Sequence, residues 1–230
     1  LVPVEHDGGT LEGGAPGLSA SAAVLHEGRE EAGQPLLVVV GLHEFVEGDE
    51  VTTPSGVTLK RIRALIAIAD AAFMPAVNPG DLGGYIQSEN NLSEICNAWV
   101  YGNAWVYGNA RMADDAWVYG DTQVYGDAQV SGNAQVSGNA RVYGNARVAD
   151  DGLIFWASKV GTENGTLTVY NGKDDTLLVT RGCFLGSPTE FLEESKRVHD
   201  ARTHHEYKLL IKVATSRIEA ARARSLEAKK

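Results

Sequence analysis

The chain has 230 residues, 43% of them hydrophobic, and a formal net charge of −10. That is enough for one large domain or two small ones, and no apolar run is long enough to cross a bilayer as a helix. The charge is uneven, −8 over residues 1–60 and +3 over residues 152–230. No segment has the dense basic footprint of a general nucleic-acid binder, and neither nucleic acid nor membrane is an expected partner.

Residues 1–34 are rich in Gly, Ala, Ser and Glu and read as a flexible or loosely packed arm. Residues 35–97 read as an N-terminal β segment that caps a repeat beginning at Ala98. Within it, Leu36–Val40 is a short buried strand and Glu47–Gly56 a turn. Leu59–Ile68 is a strand with Ile62, Ala64, Ile66 and Ile68 on one face.

From Ala98 to Asp151 the repeat runs AWVYGN, AWVYGN, ARMADD, AWVYGD, TQVYGD, AQVSGN, AQVSGN, ARVYGN, ARVADD. The units have no insertion between them, and IQSENN (86–91) and LSEICN (92–97) read as degenerate entry turns in the same register. In each hexad the small first residue and the aliphatic third residue share one face of a short strand. The residue between them points outward. The Gly-Asn or Gly-Asp pair then turns the chain, because these residues tolerate positive φ. A lone hexad cannot bury its valine, whereas stacked coils about 4.8 Å apart can. The deviant units ARMADD and ARVADD fall on one side if three hexads make a coil. The expectation is a mainly β fold of about three coils with two aromatic sides and one small-residue side.

Residues 152–230 read as a C-terminal α+β module of three strands (Leu153–Val160, Thr166–Tyr170, Leu177–Thr180) and two helices. One helix runs from the capping box Ser187-Pro188-Thr189-Glu190 to about Val198. The other runs from about Glu206 to Ser225. Its simplest task is to cover the last open coil, since an exposed solenoid end invites strand pairing.

The repeat resembles the left-handed parallel β-helix of hexapeptide-repeat proteins. With Gly80-Asp81-Leu82-Gly83-Gly84-Tyr85-Ile86 and Asn91-Leu92-Ser93 before it, it is similar to a group of bacterial and bacteriophage A-x-V-Y-G-N repeat proteins, over about residues 57–151. The left hand, a homotrimer and a phage-derived structural role are what that resemblance implies. The location would then be cytoplasmic, or virion-associated if phage-derived.

Three outward surfaces are candidate binding or interface sites. Tyr107, Tyr125 and Tyr143 form a ladder on one side, with Trp105 beside it. Trp99, Trp117, Tyr101 and Tyr119 occupy a second side. Arg111, Gln129 and Arg147 lie on the third, among Ala113, Ser131 and Ala149. Contiguous exposed aromatics mark contacts, here with another subunit, another part of the chain, or a glycan or protein. They also stabilise the coil by stacking.

No catalytic residue, metal site or cofactor is expected. All six histidines (His6, His26, His43, His199, His204, His205) lie outside the repeat, so it offers no histidine base. The Asp114-Asp115 and Asp150-Asp151 pairs read as corner caps rather than Ca²⁺ ligands. Cys96 and Cys183 lack metal or redox spacing and read as free buried thiols in a reducing compartment. The leading reading is a non-enzymatic structural or interaction scaffold that self-associates through the solenoid sides. The alternatives are a hexapeptide-type acyltransferase relative with a small-molecule site at a subunit interface, and a glycan- or other ligand-binding surface on the Trp/Tyr sides.

Overall fold

A computed structural model describes residues 41–68 and 76–228. The readings of residues 1–34 as an arm and of Leu36–Val40 as a strand lie outside the described residues.

The repeat coils as its period requires. Its hexads form nine two-residue strands, β4 to β12, on three faces. Face A stacks β4 (Trp99–Val100), β7 (Trp117–Val118) and β10 (Gln135–Val136). Face B stacks β5 (Trp105–Val106), β8 (Gln123–Val124) and β11 (Arg141–Val142). Face C stacks β6 (Arg111–Met112), β9 (Gln129–Val130) and β12 (Arg147–Val148). Every pairing is parallel and in register, Trp99 with Trp117 and Val100 with Val118, for example. The first and third residues of all nine units are buried. Thr122, which stands where the other units have alanine, buries its hydroxyl by donating to the Tyr119 carbonyl at 2.8 Å. Corner glycines take positive φ where stacking is close: a Cβ on Gly120 would lie 2.9 Å from the Gly138 carbonyl oxygen.

The corners hold a second pattern. Down each edge Asn and Asp alternate: Asn97, Asp115, Asn133, Asp151 on one, Asn103, Asp121, Asn139 and Asn109, Asp127, Asn145 on the others. Asn97, Asn103 and Asn109 donate to the carboxylate one coil on, at 2.9, 3.3 and 3.0 Å. No carboxylate in these columns has another directly above it, which avoids like-charge repulsion at one-coil spacing.

At the entry, β1 (His43–Thr52), β2 (Thr58–Ala64) and β3 (Leu82–Ile86) form an antiparallel meander that continues into face B through β3 and β5. Glu47–Thr52, expected as part of a turn, is strand. Gly48 at φ 78° lies within the β1–β2 register shift between Phe45 and Glu50, and the turn is confined to the residues after Thr52. The expected strand to Ile68 stops at Ala64, and Ile66 is only half-buried. Arg61 ties the meander together. It reaches Asp49 at 2.8 Å, the Tyr85 hydroxyl at 2.7 Å and the Gly83 carbonyl at 2.8 Å, with its guanidinium 4.3 Å above the Tyr85 ring.

The entry register departs from the expected one. Ile86 pairs with Val106 and Leu92 with Met112, so these residues are third-position, core-facing ones rather than first. The chain regains the repeat register by Asn97, beside Asp115. Two extra residues therefore sit in the turn after Leu92, where Cys96 adopts φ 78°.

At the exit, β13 (Ile154–Val160), β14 (Gly165–Asn171), β15 (Leu177–Arg181) and β16 (Phe184–Gly186) form an antiparallel sheet. Strand β16 is one more than the sequence predicts. Helix α1 (Pro188–Val198) begins at the expected capping box, and Ser187 accepts from the Glu190 amide. Helix α2 (Ala201–Glu227) begins five residues before the predicted start because Asp200 caps it, accepting from Thr203 N at 2.7 Å.

This sheet closes the solenoid with side chains. Tyr170 donates to the Tyr143 carbonyl at 3.0 Å and accepts from its amide at 3.2 Å. Thr168 accepts from Arg141 N, Thr180 donates to Arg141 O at 2.7 Å, and Asn171 donates to Arg147 O at 3.1 Å. Arg222 of α2 holds Asn171 at 2.6 Å. Last-coil backbone groups that would otherwise lack a next rung are thus satisfied. Replacing Tyr170 by Phe keeps the ring but orphans both Tyr143 groups. Urea denaturation should show a loss of about 1–3 kcal/mol, and an unchanged midpoint would refute the capping role.

Candidate functional site: the lateral faces of the solenoid

With both ends covered, the three faces are what the repeat presents. On face A the outward tryptophans are not free. Trp99 and Trp117 are 0% and 1% exposed. They join one apolar cluster with Ile62, Ala64, Ile68 and Val77. Trp99 packs against Gly83, where a Cβ would come within 2.8 Å of the indole. The meander, with Ile68 and Val77 of its β2–β3 connection, has folded over this face. Tyr119 is half-buried against the same cluster, and Tyr101 alone of the four is exposed. A shallow cleft of about 540 Å³ remains between Tyr101, Trp117, Val77 and Leu82.

On face B the tyrosines stack as a ladder. Tyr107 to Tyr125 is 4.9 Å between centroids and Tyr125 to Tyr143 is 4.5 Å, nearly parallel. The stacked ring faces are used on one another, so the ladder offers edges and hydroxyls, and Trp105 beside it is half-buried. Burial, with neighbouring phenols adding to it, pushes the Tyr125 hydroxyl well above the usual tyrosine range. The last hydroxyl, on Tyr143, donates to Phe184 O at 2.9 Å. The ladder therefore also docks the exit sheet. Removing the shared middle rung (Tyr125→Ala) should cost about 1–3 kcal/mol, against less than about 0.5 for the exposed Tyr101→Ala. Equal effects in thermal melts would show that stacking contributes nothing.

Face C is the bare one. Arg111 and Gln129 are exposed, with Ala113 and Ser131 giving low relief. Arg147 is half-buried and spent on the carbonyls of Asp127 and Ala146 at 2.9 and 2.7 Å. The entry turn overhangs this face. Glu89, Asn90, Ser93, Glu94 and Ile95 wall a groove of about 550 Å³ floored by Arg111, Gln129 and Ser131. Sequence periodicity did not reveal the groove, because it depends on the two extra residues after Leu92.

His43 lies behind that wall. Its side chain is fully buried, with Nε2 2.8 Å from Glu89 Oε2, outside good hydrogen-bond alignment, and Nδ1 without a hydrogen-bond partner among the described residues. Burial pulls its pKa below the ordinary value, while the Glu89 and Glu94 carboxylates oppose that shift. The folded state thus binds a proton less readily than the unfolded chain, and its contribution to stability falls as pH drops through about 6.5. Urea midpoints should decline from pH 7.5 to 5.5, and His43→Gln should flatten that decline. Parallel slopes for the two proteins would rule His43 out as the cause.

The other candidate groups are accounted for locally. Asp114 accepts from Gly132 N, Asp115 from Asn97, Asp150 from Gly152 N and Asp151 from Gln135 N. Among the described residues no three His, Cys, Asp or Glu side chains gather as a metal site. His199 and His204 are half-buried and His205 exposed, so only one of the three is a fully solvated tail residue. Both described cysteines are free, but Cys96 is half-buried and Cys183 exposed, not buried as expected. No helix among the described residues is long and apolar enough to cross a membrane.

A family profile, the YdcK beta-solenoid repeat, matches residues 122–138, 134–150 and 140–153. The chain is similar to that repeat over its later hexads, far less than half its length. No curated protein matches the chain. The likeness and the stacked faces agree on a β-solenoid repeat protein.

Proposed function

We propose that this chain is a non-enzymatic interaction scaffold that self-associates through the lateral faces of its solenoid. One observation carries the reading. The chain covers both ends of the repeat itself, through Arg61 and β3 at the entry and Tyr170, Thr168 and Asn171 at the exit. End-to-end strand pairing is thereby blocked, and a regular, low-relief face C is left on the side. The scaffold reading also fits the use of the aromatic columns, since most of their ring surface is spent on intrachain packing. A glycan surface would have to rely on Tyr101 and Trp105. A phage-derived role and a trimer rest on the resemblance of the repeat.

Native mass spectrometry of gently purified protein tests this. A bare oligomer is the expected result, with three subunits if the resemblance holds. A monomer at every concentration would overturn self-association. A retained small-molecule mass would move the function to a ligand site between subunits, as in the acyltransferase alternative.

A further inference from the structure

Face C carries a knob beside a hole. The knob is the overhanging entry turn, on which Ile95 is 70% exposed, the highest value among the large apolar side chains described. The hole is the adjoining groove over Arg111, Gln129 and Ser131. Two opposite charges line that groove without meeting. Neither the exposed Glu94 carboxylate nor the exposed Arg111 guanidinium has an ion pair or hydrogen bond among the described residues, whereas Glu89 on the same wall contacts His43. Ala113 and Ser131 keep the floor low, so another backbone can approach closely.

A knob and a hole side by side on one surface satisfy each other in a single contact when two copies meet across a two-fold axis. We propose that face C is such a self-contact. Ile95 of each copy seats in the groove of the other, and Glu94 of each copy pairs with Arg111 of the other. This inference rests on the self-association reading, names its surface and symmetry, and takes an even subunit number in place of the trimer that the resemblance implies. The occupant is a second copy because the face supplies both the apolar projection and the cavity, and both members of the charge pair. Strand addition cannot occupy it, since the rungs of this face are paired in register and its last strand is covered by the exit sheet.

Sedimentation equilibrium over about 1 μM to 1 mM provides the test. The variants are Arg111→Glu, Glu94→Arg, the double swap and Ile95→Ser. All alter exposed side chains, and melting curves confirm that each still folds. Each single charge reversal places two like-charge contacts across the axis and should weaken dimerisation by about 100-fold or more. The double swap should recover affinity to within about 10-fold of the unaltered chain. Ile95→Ser should weaken it without reversing any charge effect. Assembly of unchanged strength in the single variants, or an odd subunit number, would overturn the face-C contact while leaving self-association standing. An unaltered chain that stays monomeric at the highest concentration would overturn both.

Discussion

The constraint on which the molecule depends is that a parallel stack of two-residue strands has no stability of its own. Each rung exchanges only a few backbone hydrogen bonds with its neighbours and buries one small residue and one aliphatic one, nearly always alanine and valine. The stack holds because every coil is covered above and below, and the first and last coils therefore set the terms for the rest. At the exit the cover is made mostly of side chains: a tyrosine, two threonines and an asparagine take places that the backbone of a further coil would fill on faces B and C, beside one backbone bridge between Ala146 and Gly172. At the entry it is made of backbone, because β3 runs parallel to β5 while pairing antiparallel with β2 on its other edge.

The same requirement explains where the aromatic residues went. Trp99 and Trp117 point out of the coil, as alternation demands, yet they are buried because the entry meander needs an apolar face to lie on. Tyr143 and Tyr170 serve the exit in the same way, one extending the ladder and the other plugging it. Aromatic surface on a solenoid is often a sign of external contact. Here much of it is the footing of the caps. Face C, which has no aromatic side chain, keeps the most accessible relief.

The coils were legible in the sequence because the signals reinforce one another. The valine column from Val100 to Val148 and the Gly-Asn and Gly-Asp corners set a six-residue side, and the two ARxADD units thirty-six residues apart are consistent with three sides to a coil. Asn and Asp also exchange at every eighteenth residue down each edge, a pattern that repeats after thirty-six residues as the ARxADD units do and could have been read from the corners alone. What escaped was whatever depends on a neighbour that the period does not describe. Ile86 and Leu92 are six apart and fit the hexad as first or third residues equally well, so only the pairing with Val106 and Met112 decides between them. The outward tryptophans look identical in sequence whether solvent or the meander covers them. Cap residue Asp200 was missed because Thr203, not Glu or Gln, stands three positions later, so the reciprocal half of a capping box is absent.

The register shift at the entry also breaks the flatness of face C. A register-perfect entry coil would leave face C as flat along its whole height as it is at Gln129. Two extra residues after Leu92 instead push Glu94 and Ile95 out over it, and the displaced carboxylate and the Arg111 guanidinium end up in one groove without an ion pair among the described residues. A regular repeat selects a fold but distinguishes no position along it. Specific recognition needs a place where the repeat is broken, and in this chain the break lies where the caps leave a face uncovered. It is also where His43, pressed against Glu89 with Glu94 nearby, links the protonation of a buried ring to the wall of the groove. The carboxylates that border the groove are thus the same groups that favour the charged form of the buried His43 ring and partly offset its desolvation.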